Sequence, residues 1–89
     1  MEDQEVEVLK FLKEVKQGVQ NVKLNNHFFR KDQTYLRSFE RLEELGFIYF
    51  IDGNYDLSQL LYEIPIYPPR TYWGRILPEG EEALKRIQA

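Results

Sequence analysis

Apolar residues recur at helical spacing near the start of the chain. Placed at 100° per residue, Val8, Phe11, Leu12, Val15, Val19 and Val22 share one arc about 100° wide, and Lys10, Lys13, Lys16 and Gln17 point the other way. The pattern predicts an amphipathic helix from about Gln4 into the region of Gly18. β-branched residues after Gly18 leave its end open between Gly18 and Val22. Val6 and Leu9 lie off the arc, at the edge of the core or on a second contact surface. Between residues 24 and 31, Asn25 or Asn26 can cap a short helix holding Phe28 and Phe29. A second clear helical period follows. Tyr35, Phe39, Leu42 and Gly46 fall within about 60°, flanked by Leu36 and Leu45, with Asp32 as N-cap and Gly46 as stop. Gln33, Thr34, Arg37, Glu40, Arg41 and Glu44 form the opposite face of this helix over 32–45.

The periodicity then changes. Phe47 to Ile51 is rich in β-formers and reads as a strand, and Asp52-Gly53-Asn54 reads as a turn. Asp56 to Gln59 resembles a capping box, so Leu57 to Glu63 is either a short helical turn or continued strand. Pro65, Pro68 and Pro69 require an extended segment. Thr71 to Leu77 reads as a further strand. Pro78 opens a last helix with Glu79, Glu81 and Glu82 in its first turn, Ala83, Leu84 and Ile87 on its apolar side and Lys85 and Arg86 near its end. The expectation is one α+β domain over residues 1–89, with Leu12, Val15, Tyr35, Phe39, Leu42, Ile76 and Leu84 sharing a core.

Composition narrows the function. At 89 residues and 10.8 kDa, the chain supports one modest core and no large enzyme cleft. It has no cysteine and one histidine, which removes disulfides, cysteine zinc sites and histidine-rich metal sites, and fits a cytoplasmic protein. The longest apolar run, Phe47 to Ile51, is far too short for a membrane helix. The acidic start lacks the pattern of a signal peptide. No glycine-rich phosphate loop, serine elbow or calcium-loop pattern appears, so neither an enzyme nor a cofactor is expected. Net charge is −3, but unevenly spread. Residues 1–9 carry four acids, residues 10–41 eight bases against three acids, and residues 42–63 only acids. The basic block is the one feature of the charge pattern that points toward nucleic acid.

The order helix, short helix, helix, strand, wing, strand, helix resembles a winged helix-turn-helix. Two stretches carry the resemblance. Tyr35 to Ile48 resembles a recognition helix with its leucine-glycine-aliphatic exit into the first wing strand. Arg75 to Ile87, through Leu77-Pro78-Glu79-Gly80, resembles the strand-to-helix junction of MarR-type and PadR-type regulators. Leu77 stands where that family usually has threonine, and residues 52–70 are long, apolar and proline-bearing where a DNA-touching wing is a short basic hairpin. The resemblance implies three N-terminal helices, a two- or three-stranded wing sheet and a C-terminal helix. It also implies a homodimeric transcriptional regulator reading duplex DNA.

In that reading Gln33, Thr34, Arg37, Ser38 and Arg41 approach the major groove, and Arg70 and Arg75 flank the wing strand. Val6, Leu9 and Ile87 are the candidates for a dimer seam. Two features weigh the other way. Glu40 and Glu44 neighbour the arginines at helical spacing, and a sequence pI near 5.2 is low for a DNA binder. The second reading is therefore a winged-helix module that binds protein through the aromatic, proline-bearing 55–73 segment. Pro65 to Arg70 also matches a PxxPxR pattern, taken as chance inside a folded domain. Of Tyr72 and Trp73, the expectation for Trp73 is packing in the core.

Overall fold

The computed structural model describes residues 1–30, 32–55 and 70–88, with 52–55 and 70 described by their backbone alone. The described residues form a mixed α+β arrangement of three helices and a three-stranded antiparallel sheet. The helices are α1 (Asp3–Glu14), α2 (Leu36–Glu44) and α3 (Pro78–Gln88). The strands are β1 (Val22–Lys23), β2 (Ile48–Tyr55) and β3 (Arg70–Ile76), in the order β1-β3-β2. The expected turn beginning at Asp56 and the proline segment from Pro65 to Pro69 lie outside the described residues.

Helix α1 starts where the backbone N–H of Glu2 donates to Glu5 Oε1 at 3.4 Å, half of a capping box. Asp3 and Glu5 sit in its first turn, where the helix dipole favours acids. It ends at Glu14, earlier than the apolar arc predicts. Gly18 adopts φ +60 and turns the chain, and Val22 pairs with Gly74 in the sheet. Ladder bonds to β3 outcompete a helical extension that β-branched residues support weakly. Val19 is left 82% exposed, and Val15 is only half-buried at the C-cap, outside the buried cluster. Leu9, placed off the arc, is fully buried.

A short helix is expected over 24–31; the described residues 24–30 form turns and no helix. His27 and Phe28 N–H both donate to Leu24 O, at 3.1 and 3.0 Å, which closes a single turn. Asn25 serves the sheet instead of a helix, its Oδ1 accepting from Tyr72 N–H at 2.9 Å beside the Leu24 N–H bond to Tyr72 O. Two helices, not three, therefore precede β2 among the described residues.

Helix α2 begins three residues later than expected, with Tyr35 rather than Asp32 at the N-cap position. Asp32 Oδ1 accepts from the Thr34 N–H at 3.1 Å and hydroxyl at 2.8 Å, an Asx turn that leads into the helix without capping it. Its end matches the sequence. Gly46 has φ +76, Gly46 N–H donates to Glu43 O and Phe47 N–H to Leu42 O, both at 3.0 Å, which is a Schellman motif.

Strand β2 runs through the expected turn at 52–54. Ile51 faces Trp73 and Asn54 faces Thr71, so two residues of β2 oppose one of β3 in a bulge beside Gly53. Inward positions alternate along the sheet: Ile48, Phe50, Tyr72 and Ile76 are buried, while Tyr49 and Trp73 face out. Trp73 is 36% exposed, so the strand period sends Tyr72 rather than Trp73 into the core. Phe39, Phe50, Tyr72, Phe28 and Phe29 form an aromatic layer, with Phe29 stacked on Tyr72 at 4.1 Å. Leu12, Leu42, Ile76 and Leu84 join Phe39 in one cluster as expected, and Tyr35 packs at its edge.

At the last junction Leu77 N–H donates to Phe47 O at 2.9 Å and Leu77 O accepts from Glu81 N–H at 3.0 Å. The Leu77 carbonyl thus makes the first bond of α3, and its N–H ties the start of that helix to the α2–β2 junction. Gly80 lies directly on the Phe47 carbonyl, with no room for a Cβ.

Candidate interaction surfaces

Two surfaces collect the residues singled out by the sequence. The first is the outward side of α2, which packs beside the N-terminal turns of α1. Gln33 Nε2 donates to Tyr72 Oη at 3.1 Å, and Thr34 is engaged with Asp32. Ser38 is 6% exposed and its hydroxyl donates to Gln4 Oε1 at 3.2 Å, so it leaves the outward face expected for it. Arg41 pairs with the buried Glu5, Nε to Oε2 at 3.4 Å. Arg37 alone of these groups is exposed with neither a hydrogen bond nor an ion pair among the described residues.

Acids outnumber bases around this helix. Arg37 and Arg41 share the exposed side with Glu40, Glu43 and Glu44. Helix α1 adds Glu5 at Arg41 and Glu7 at Tyr35, whose hydroxyl donates to Glu7 Oε2 at 2.8 Å. That hydrogen bond, helped by partial burial and by the charges of Glu7 and Asp32, pushes the Tyr35 phenol above its ordinary value. Of the basic block, Arg41 is thereby met in space by the acidic N-terminal segment, and Lys16 by Glu81.

The second surface is the outer face of the sheet. Register sets Tyr49 opposite Arg75 and Ile51 opposite Trp73, with Lys23 on the far side of Trp73. Tyr49 is 44% exposed, and the Arg75 guanidinium lies 4.6 Å from its ring centroid while donating to Asn21 Oδ1 at 2.8 Å. Arg75 is therefore held in place by two contacts. Arg70 has its backbone paired with Tyr55, and its side chain lies outside the described residues.

Neither Tyr49 nor Glu5 was singled out from sequence. Tyr49 sits in an apolar run whose faces only strand register can separate, and Glu5 reads as an ordinary first-turn acid. The dimer-seam expectation is corrected at Leu9, which is buried in its own core; Val6 packs half-buried against that core, and Ile87 is 44% exposed.

Among the described residues no cluster of three metal-ligating side chains occurs, and no helix is long and apolar enough to cross a membrane. Comparison with family models, curated proteins and solved structures finds no match to this chain.

Proposed function

We propose that the chain is a winged-helix-type protein-interaction module that engages a protein partner through the outer face of its sheet. The observation that carries this reading is the row Trp73, Ile51, Tyr49 and Arg75, where two exposed aromatics and a pre-positioned arginine lie side by side on paired strands. Tryptophan, tyrosine and arginine dominate the energetics of protein interfaces, and a guanidinium already held in place loses little entropy on docking. Lys23 and Arg75 suit a partner that presents carboxylates around an apolar centre. The helix–strand–helix–strand–strand–helix order with β3 central supports the winged-helix description.

Duplex reading by α2 is the less favoured function. Arg41 is paired within the chain, Ser38 is turned inward, and the exposed Glu40 lies three residues from Arg37 on the same helix. Neutralised arginines release few counterions from DNA.

A photo-crosslinking amino acid placed at Tyr49 and, separately, at Glu40 on α2 tests the proposal. Crosslinks to one defined protein are expected from position 49 and not from position 40, and Trp73→Ala should abolish them, since a central aromatic contributes about 2 kcal/mol or more. Titration of mixed-sequence duplex DNA at low salt supplies the opposing arm. Tight binding that Arg37→Gln weakens, with a salt slope lower by about one, would replace the protein-binding reading with the DNA-binding one.

A further inference from the structure

Among the described lysines and arginines, Arg75 alone is partly buried, and every other one is exposed. It lies on the outward side of the central strand β3, opposite Tyr49 in the register. A guanidinium carries five N–H donors in a planar fork. Nη1 donates to Asn21 Oδ1 at 2.8 Å, and the guanidinium lies 4.6 Å from the Tyr49 ring centroid. These contacts fix the fork and leave most of its donors unspent. Among the described residues no carboxylate pairs with it, although the chain holds 15 acids against 12 bases. The more exposed Lys16, Arg41 and Lys85 each have one, in Glu81, Glu5 and Glu82. A partly desolvated cation without a counter-ion is unfavourable, so Arg75 is the place on this chain where an outside carboxylate gains most. Its neighbours on the face are Trp73, Ile51, Tyr49 and the exposed Lys23, which offer apolar surface and a second positive charge and no acid. Trp73 stands two residues from Arg75 on the same side of β3, about 7 Å along the strand.

We propose that the sheet face selects a short acidic–apolar segment of its protein partner. An aspartate or glutamate carboxylate of that segment accepts a bidentate pair of hydrogen bonds from Arg75, and an apolar side chain about 7 Å from it packs on Trp73 and Ile51. Two residues of extended chain or four of helix cover about that distance. The inference rests on the sheet-face reading above and names the chemistry which that face recognises. Arg75 acts through its geometry, since a lysine would keep the charge and lose the planar fork. Lys23, on the far side of Trp73, adds charge attraction that speeds encounter without fixing the segment's position.

The test is selection of a phage-displayed library of random dodecapeptides on the full chain, followed by amide-resolved NMR titration with the enriched peptides. The expected peptides carry an aspartate or glutamate near an apolar residue and shift the amides of Tyr49, Ile51, Trp73 and Arg75. The decisive arm changes the peptide and leaves the protein intact. Replacing the peptide's acid by its amide should weaken binding by about tenfold to the parent chain and by much less to Arg75→Lys, whose own affinity for the acidic peptide should be about tenfold lower. Enriched peptides that shift the sheet-face amides but carry no acid, or that keep their affinity when the acid becomes an amide, would overturn this inference and leave the sheet-face reading standing. Peptides that shift only amides elsewhere, or a library that yields no binder, would overturn both. An oligo(dT) strand that shifts the same amides at lower concentration than any enriched peptide would also overturn both, in favour of single-stranded nucleic acid.

Discussion

Replacing Gly80 by alanine should destabilise this protein, against the helix propensity of the two residues. Gly80 lies in the first turn of α3, and alanine in a helix interior is favoured over glycine by about 1 kcal/mol. A Cβ at this position would overlap the Phe47 carbonyl oxygen and stand 3.0 Å from Ile76 Cγ1. The isoleucine can shift by a few tenths of an ångström. The carbonyl is less free: it accepts from Leu77 N–H at 2.9 Å, and Phe47 is locked by the Schellman bond to Leu42. Relief requires α3 to move away from the α2–β2 junction and so loosens Ile76 and Leu84 in the core. Overpacking typically costs about 1–3 kcal/mol, and contact with fixed backbone belongs at the top of that range or above it. After subtracting the propensity gain, the net loss is about 2 kcal/mol, or roughly 8–16 °C in Tm for a domain of this size. Urea unfolding followed by circular dichroism and by Trp73 fluorescence measures it, with the m-value checked for constancy. A Gly80→Ala protein as stable as the parent, or more so, would refute the close approach and with it the account of the Leu77–Glu81 junction.

Other outcomes follow from the same structure. Leu42→Ala removes a fully buried side chain from the central cluster and should cost about 2–5 kcal/mol in the same urea assay. Tyr35→Phe removes the hydroxyl bond to Glu7. Because that bond raises the phenol in the folded state, its stabilisation is complete below the ordinary tyrosine value near 10 and is lost as pH rises through the raised one. Ultraviolet titration should therefore show a late-ionising tyrosine in the parent that is missing from the variant. The Glu81 carboxylate is held low by the hydrogen bond from Lys16 Nζ at 2.7 Å and by the surrounding lysines. Its contribution is present above the ordinary carboxylate range and lost as pH falls through the depressed value. Lys16→Met should flatten the acid limb of stability measured near pH 4, by less than about 1 kcal/mol because the pair is partly solvated. With Trp73 on the outer sheet face, acrylamide should quench its fluorescence readily in the native state, and a partner that covers that face should protect it.

Local chemistry in the sequence determined the elements whose ends are set by their own residues. Gly46 adopts the left-handed conformation that stops α2, and Pro78 with its following acids opens α3, because these signals act within one turn of the backbone. The cluster of Leu12, Phe39, Leu42, Ile76 and Leu84 followed from helical and strand periods in the same way. Tertiary structure decided what pairing and packing must settle. Val22 satisfies a helical period as well as a strand, and only the presence of β3 at Gly74 makes it a strand. Trp73 and Tyr72 are adjacent aromatics in a β-rich run; register against Ile51 sends one outward and the other into the aromatic layer. The charge pattern was the most misleading in one dimension. A basic block and an acidic segment read as separate features along the chain, yet α1 folds its acids onto the arginine-bearing side of α2, so Arg41 meets Glu5 and Ser38 meets Gln4. Electrostatic partners are chosen by distance in space, which sequence separation does not report, and the surface left exposed was therefore decided only when the helices packed.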